Sequence, residues 1–542
     1  MKSIRQSKIF VYIQSNWAFL LACFIALIAA RAAVHHAMQP LLELHAFRQT
    51  QTALTSYWMI QEGWKLGYET PVSGYPWTIP FEFPIYQTIV AFFSSVFHYS
   101  LDATGRIVSI VFLLACAWPA WLITRKLSLK KEVAWVFCAL LWSSPIYIFW
   151  GRTFMIETTA VFFTLVSIAY AIDLFKSSPS WRSTILFAVF SILGLLQKVT
   201  TIGPVLMVIG VLLVINHFAT EGFKMPRWRK IACVAVSFIV PLTISLMWTN
   251  YTDVLKSHSM FGSNLTSKAL FEWNFGTLAQ RLDIHNLKNI FWTRVISNNA
   301  ASFVGVFILI TSLIFAERRI RSLILICLVM FILPIFIFFN LHRAHNYYQS
   351  SCALFLIAGL TIAVISVVPA FLKNAQLVTF LVVFLVGYNL LCYHRTYEKL
   401  THEIYSITND RTLAISDVVQ RYTPENSGIV VFGDDWNSEI AYYSRRKSCT
   451  APYQYNFSDS VWKSPAKFLG NLKLGAVVFV TNDSNIKSLM ARPDIQRDSC
   501  LYKVFYQSYI WLPGVRSISP PVGYVTSPDL YSNVFKNQKI IQ

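Results

Sequence analysis

Charge is what this sequence has least of. Only 13% of its 542 residues are Asp, Glu, Lys or Arg, while 55% are hydrophobic. Soluble domains carry about a quarter charged residues, so a water-soluble fold could not cover its apolar surface with this composition. Other absences narrow the reading further. There is no CxxC pair and no Cys/His spacing of the zinc type among the nine cysteines, which excludes the common structural zinc modules. Neither a clear cleavage site after the first apolar run nor any low-complexity segment stands out. No repeat relates one half of the chain to the other, which argues against the architecture of many transporters.

What is present is a series of apolar runs of the length that crosses a bilayer, about 20 residues each. They fall near 11–34, 105–124, 133–150, 157–175, 183–197, 203–217, 231–248, 300–316, 322–340, 350–371 and 376–392. The expected fold class is a polytopic α-helical membrane protein of about eleven transmembrane helices, followed by a small C-terminal α/β domain. Residues 1–394 form the membrane domain and 395–542 the second domain. In the latter, GIVVFGDDW (428–436) and LGAVVFVTND (474–483) read as strands ending in polar turns, with a helix at 437–446 between them.

The 46 basic and 26 acidic residues leave a net charge of +20. The basic groups cluster between apolar runs: Lys2, Arg5 and Lys8; Arg125, Lys126, Lys130 and Lys131; Lys176 and Arg182; Lys224, Arg227, Arg229 and Lys230; Arg318, Arg319 and Arg321; and Lys373. Every other loop is basic. That is the positive-inside pattern, so the excess is assigned to cytoplasmic loops and not to nucleic-acid binding. It places the N-terminus inside and, after eleven crossings, the C-terminal domain outside. Cys449 and Cys500 lie in that domain, where an oxidising compartment would allow them to pair.

Three outer segments are richer than turns: 35–104, 249–299 and 342–350. The first contains an apolar piece at 85–97, too short to span and expected to lie at the interface. Ionisable groups at membrane depth are costly and mark functional sites, and here they gather on the outer side in five patches. These are Glu43, His45, Arg48 and Gln49; Glu82 and Tyr86; Arg152 and Glu157; Gln197 and Lys198; and His342, Arg343, His345, Tyr347 and Tyr348. Carboxylates supply a general base or a metal ligand, and Arg and Lys neutralise a phosphate leaving group. Each patch has a plainer reading. Glu43 is then a solvated loop acid, Glu82 a helix cap, Arg152 and Glu157 a pair tying two helices, Lys198 a side chain snorkelling to headgroups, and the histidines hydrogen-bonding interface groups. Asp434 and Asp435 follow a strand and are read as a turn, not as a metal site.

Taken in order, the patches resemble the GT-C class of membrane glycosyltransferases, which includes aminoarabinose transferases and protein mannosyltransferases. The residues that carry the resemblance are E-x-H-x-x-R-Q-x-x-T-A at 43–53, E-F-P-I-Y at 82–86, G-R at 105–106, G-R-x-x-x-x-E at 151–157, the lysine at 198 and H-N-Y-Y at 345–348. The resemblance implies transfer of a sugar from a polyprenyl-phosphate donor at the outer face of the bilayer to an extracytoplasmic acceptor. It implies a catalytic acid early in the first outer loop, where Glu43 stands, with Glu157 and Glu82 as the other candidates. It puts Arg48, Arg152, Lys198 and Arg343 on the donor phosphate, and His45, Gln49, Tyr86, His345, Tyr347 and Tyr348 on substrate. It also implies a divalent metal for some members, for which Glu82 is the candidate ligand. One departure is visible: the class usually has Asp where this chain has Glu43. A flippase for lipid-linked glycans, and an inactive scaffold that binds a polyprenyl lipid, are the competing classes.

Overall fold

The computed structural model describes residues 8–451, 458–480, 487, 490–492, 500–505, 507–515 and 518. Lys2 and Arg5 of the orientation pattern lie outside them.

Among the described residues, eight helices are long and apolar enough to cross a membrane: Gln14–His35, Leu101–Lys126, Glu157–Phe175, Trp181–Glu221, Trp228–Ser257, Arg318–Ile337, Ala353–Leu372 and Ala375–Thr396. A ninth arises if Ile284–Asn299 and Ser302–Phe315, bent by 93°, count as one span. The chain is thus a multi-pass integral membrane protein, and by length and composition alone the described helices account for eight or nine of the about eleven crossings expected. The run at 133–150 is broken into Lys131–Ser143 and Pro145–Trp150, because Ser144 is extended and Pro145 has no N–H to continue the ladder. Its residues are buried almost throughout, as expected of a helix that is apolar on every face.

The runs at 183–197 and 203–217 fall within one helical segment, Trp181–Glu221, interrupted at Lys198 (φ −163°, ψ 94°). A straight helix of that length would measure ~61 Å, twice the apolar thickness of a bilayer. It is not straight. A Cβ on Gly194 would lie 2.7 Å from Ile202 Cδ1, whereas residues eight apart on a regular helix are separated by ~12 Å. The segment therefore doubles back, with Lys198 at the bend.

Two faces follow from the contacts. Lys126 and Lys176 both reach Asp173, Lys230 reaches Glu221, Lys131 Nζ donates to Ser15 O and Arg319 to Leu127 O. These basic groups share one end of the bundle. The helix Ile85–Phe97 belongs to the opposite end. It buries Tyr86, Gln87, Val90, Ala91 and Ser94 and exposes Phe92, Phe93, Val96 and Phe97, the profile of a helix lying in the interface.

The C-terminal domain carries a five-stranded sheet in the order β2-β1-β3-β5-β4. The strands are β1 (Ser427–Phe432), β2 (Lys447–Ala451), β3 (Lys473–Phe479), β4 (Leu501–Phe505) and β5 (Ser508–Trp511). β1 pairs in parallel with β2 and β3, and β5 is antiparallel to β3 and β4. Cys449 sits on edge strand β2 and Cys500 precedes β4 at the other edge, about four strand spacings or ~19 Å away, and no disulfide joins them. The pairing that the sequence left open is ruled out by that separation.

This domain docks on the segment that follows the first helix. Ser448 and Thr450 donate backbone N–H groups to Pro71 O (3.0 Å) and Val72 O (2.9 Å), so 70–74 covers the β2 edge. Lys447 pairs with Glu62 and Glu69. Gly74 (φ +77°) makes the approach: a Cβ there would meet Phe468 O at 3.1 Å and Cys449 Sγ at 3.2 Å.

Candidate active site

The first-loop acid is enclosed. Glu43 Oε1 accepts from Arg106 Nη2 at 2.6 Å and Oε2 accepts from Arg152 Nη2 at 2.6 Å, and all three side chains are 0% exposed. Arg106 also donates to the carbonyls of Ala37, Gln39 and Pro40. One guanidinium thus stitches the turn after the first helix to the helix Leu101–Lys126. Gly105 makes this geometry available, because any Cβ there would strike the Phe154 ring at 2.1 Å. Burial on its own would push the Glu43 carboxyl up; Arg152 and then Arg106 overcome it and hold Glu43 below the usual carboxylate range.

A second set of ionisable groups stands apart from this clamp and is more accessible. Arg48, on the helix Ala46–Glu62, reaches Glu82 Oε1 at 2.8 Å, with side-chain exposures of 16% and 13%. Gln51 Oε1 accepts a second bond from Arg48 at 2.6 Å. The Glu82 loop is fixed by its backbone. Tyr68 Oη accepts from Phe81 N and donates to Glu82 O, Trp248 donates to Phe81 O, and Phe83 N donates to Leu196 O. Lys198, at its bend, pairs with Glu157 at the start of the helix Glu157–Ala171. Its Nζ lies 4.2 Å from the Tyr348 ring centroid and 5.2 Å from that of Tyr347, a cation–π pair of contacts. His45 bonds Asn346 Oδ1 at 3.1 Å and packs against the rings of His345 (5.1 Å) and Tyr347 (5.0 Å).

Five sequence-distant patches therefore meet at one place. Arg48, Lys198 and Arg294 supply three cations there against the carboxylates Glu82 and Glu157, a balance that accepts an anion. Burial lowers His45 to about 4, partly offset by its bond to Asn346. Burial, then His45, Arg48, Lys198 and Arg294, lowers His345 to about 3. Both rings are neutral near pH 7. Several buried polar atoms around the cluster have no hydrogen-bond partner among the described residues: Glu157 Oε2, Thr158 Oγ1, Gln197 Nε2, both His342 ring nitrogens and Gln349 Oε1. Such a concentration in so apolar a protein calls for a polar ligand or solvent.

The structure gives four of the candidates other work. Arg152 gives Nη2 to Glu43 and has no exposed surface to offer a phosphate, while its Nε and Nη1 are buried without a partner among the described residues. Arg343 turns its guanidinium onto Asn340 Oδ1, which is tied to the Trp273 carbonyl through the Asn340 amide. Gln49 is fully buried, accepting from Phe154 N and donating to Leu44 O. Tyr86 is fully buried with its hydroxyl donating to Gly105 O. Two residues without an assigned role prove to be placed for one. Arg106 was visible as a charge inside an apolar run. Arg294 sits in a π-helical turn, Lys288–Ile296, and donates to the carbonyls of His342 and Arg343, which fixes the His345–Tyr348 segment. The π turn has no sequence signature. As for a metal at Glu82, no three His, Cys, Asp or Glu side chains converge as a ligand set among the described residues.

No family model and no curated protein matches this sequence. Solved structures do. The chain superimposes on ArnT from Cupriavidus metallidurans bound to undecaprenyl phosphate with a TM-score of 0.62 at 13% identity, covering 93% of this chain and 99% of that one. It superimposes on the archaeal oligosaccharyltransferase AglB from Archaeoglobus fulgidus, in complex with an inhibitory peptide and a dolichol-phosphate, with a TM-score of 0.53 at 10% identity, covering 86% and 70%. The mycobacterial arabinofuranosyltransferase AftD gives 0.50 at 12% identity, covering 86% of this chain and 35% of the other. The match to ArnT runs through the C-terminal domain as well as the membrane helices. The fold expected from the resemblance, GT-C, is the fold of this chain.

Proposed function

We propose that this chain, which has the GT-C fold, is a membrane glycosyltransferase that moves a sugar from a polyprenyl-phosphate donor to an extracytoplasmic acceptor. The basic loops put the Lys126–Lys131 end in the cytoplasm and hence the site and the C-terminal domain outside. The observation that carries the reading is the meeting of Arg48–Glu82 with Lys198–Glu157, whose lysine packs against the rings of Tyr347 and Tyr348, at the end of the bundle where a lipid-linked phosphate would sit. Similar structures bound to undecaprenyl phosphate and dolichol-phosphate support it.

In this reading Lys198 and Arg48 hold the donor phosphate. Glu82 is the general base, because only its Oε1 is hydrogen-bonded among the described residues and part of its surface is open. It takes the proton of an acceptor hydroxyl or amine as that atom attacks the anomeric carbon. The bond from that carbon to the phosphate oxygen breaks, and the electron pair leaves on the polyprenyl phosphate, whose charge Lys198 and Arg48 stabilise. A single displacement inverts the anomeric centre. Glu157 keeps Lys198 aimed. Glu43, the acid first expected to be the base, is a positioning residue instead: both of its oxygens are committed to arginines and neither faces solvent.

The test uses membranes containing wild type or Glu82→Gln, Glu157→Gln and Glu43→Gln, radiolabelled polyprenyl-phosphate sugars, and a count of label reaching acceptor. Transfer by wild type and its loss in a normally folded Glu82→Gln variant is the expected result. No transfer by wild type from any such donor overturns the reading, and lipid movement between leaflets without sugar release would mark a flippase.

A further inference from the structure

The C-terminal domain reaches into the site at one loop, 433–438. This loop follows β1, at the carboxyl end of a strand paired in parallel on both sides, the place where open α/β sheets gather ligands. Trp436 at its tip stacks on Phe81, ring centroids 5.9 Å apart and planes 29° from parallel. Phe81 adjoins Glu82 in sequence. The loop is held from both sides. Ser438 Oγ bonds Phe47 O and Thr50 Oγ1, each at 2.8 Å, on the helix that carries Arg48. Internally, Asn437 Nδ2 donates to Asp434 Oδ2 at 3.1 Å and Trp436 N to Asp435 Oδ1 at 2.9 Å. A half-buried indole is thus presented on a fixed loop, flanked by carboxylates and an amide, beside the proposed base.

We infer that this loop is the acceptor subsite and that the acceptor is a carbohydrate, with a pyranose ring lying on Trp436. The inference rests on the glycosyltransferase reading and adds the class of its acceptor. A sugar ring has an apolar C–H face and a rim of hydroxyls, and it matches an aromatic plane edged by hydrogen-bonding carboxylate and amide groups. A polypeptide acceptor held by strand addition is disfavoured here. The β2 edge nearest the loop is already covered by residues 70–74. The loop carries Asp434 and Asp435, with Glu439 opening the helix after it, and no basic residue, so it does not itself select an anionic group.

The experiment is label transfer from polyprenyl-phosphate sugar to a titrated extract of envelope material, with wild type, Trp436→Ala and Trp436→Phe in membranes. Trp436→Ala should raise the half-saturating amount of acceptor at least tenfold and leave the donor half-saturation unchanged, and Trp436→Phe should stay within about threefold of wild type. The unchanged donor term reports a folded site. Periodate oxidation of the extract should abolish acceptance and protease digestion should leave it. If wild type transfers label but Trp436→Ala shows an unaltered acceptor dependence, or acceptance survives periodate and is lost to protease, the inference is overturned. If wild type transfers no label at all, the parent reading has failed and this one falls with it.

Discussion

Glu43 and Glu82 are both acids of the segment after the first helix, and both are paired with arginine. They differ in what else they can touch. Glu43 gives one oxygen to each of two arginines in a site without exposed surface. Glu82 gives a single oxygen to one arginine and a glutamine and keeps part of its surface open. Burial with both carboxylate oxygens hydrogen-bonded makes a structural clamp; a partly exposed carboxylate with one oxygen unbonded among the described residues is a group that can exchange a proton. A pattern of charges in an apolar chain is thereby divided by geometry into residues that position and residues that can react. Lys198–Glu157 is intermediate, with exposures of 8% and 3% and one carboxylate oxygen left without a partner.

The largest expected effect comes from breaking the clamp. Glu43→Gln leaves Arg106 and Arg152 buried without their counter-charge, and removing one member of a buried ion set costs about 3–5 kcal/mol. The thermal midpoint of the purified protein should fall, with loss of folded material on gel filtration, and transfer should fall with it. A Glu43→Gln protein with a wild-type midpoint and no transfer would reverse the comparison and return the base to Glu43.

Next is Glu82→Gln. The Arg48–Glu82 pair keeps part of its surface open, unlike the fully enclosed clamp, so the midpoint should fall less than in Glu43→Gln. Transfer should drop ~10²- to 10⁴-fold, the usual worth of a general base. Parallel loss of fold and transfer would show that Glu82 is also structural. Lys198→Met should be smaller, raising the half-saturating donor about tenfold, or ~1.4 kcal/mol. It also strands Glu157, so the double change Lys198→Met with Glu157→Gln should recover stability without recovering donor affinity. Recovery of both would remove Lys198 from the phosphate site.

Much of this arrangement is legible in the sequence, and the reason is the cost of charge in an apolar chain. Glu82 and Lys198 stand out because nothing near them in sequence is charged, and His345 and the tyrosines after it because they sit with Arg343 in a short polar break between apolar runs; the structure brings them together. The two β-branched runs of the tail are β1 and β3. What the sequence hides is direction. Arg48 and Arg152 read alike, yet one faces the open cluster and the other the clamp, a matter of which side of Phe154 and Gln49 each lies on. Helix breaks are equally hidden: Pro145 announces one, whereas the turn at Lys198 and the π segment around Arg294 depend on tertiary packing. Trp436 is invisible for the same reason, since its partner Phe81 is 355 positions away (436 − 81).

The smallest effect is on pH, and it separates the two domains. His45 and His345 are lowered by burial to about 4 and about 3. Their unfolded forms titrate near 6.5, so the stability tied to their neutral forms is intact above 6.5 and is lost as the pH falls towards 4. The tail behaves oppositely. Burial, then Asp434, raises Glu439 to about 7, and burial raises Asp434 itself to about 6. Their contribution is intact below the ordinary carboxylate range and is lost as the pH rises to 7. Unfolding followed between pH 4.5 and 8 should therefore show the membrane site weakening with acid and the tail with base. Glu439→Gln should flatten the basic limb and His345→Asn the acidic one. Transfer should show no inflection at 6.5 that His45→Asn removes. If it does, His45 titrates during the reaction, and it joins Glu82 among the groups that exchange a proton.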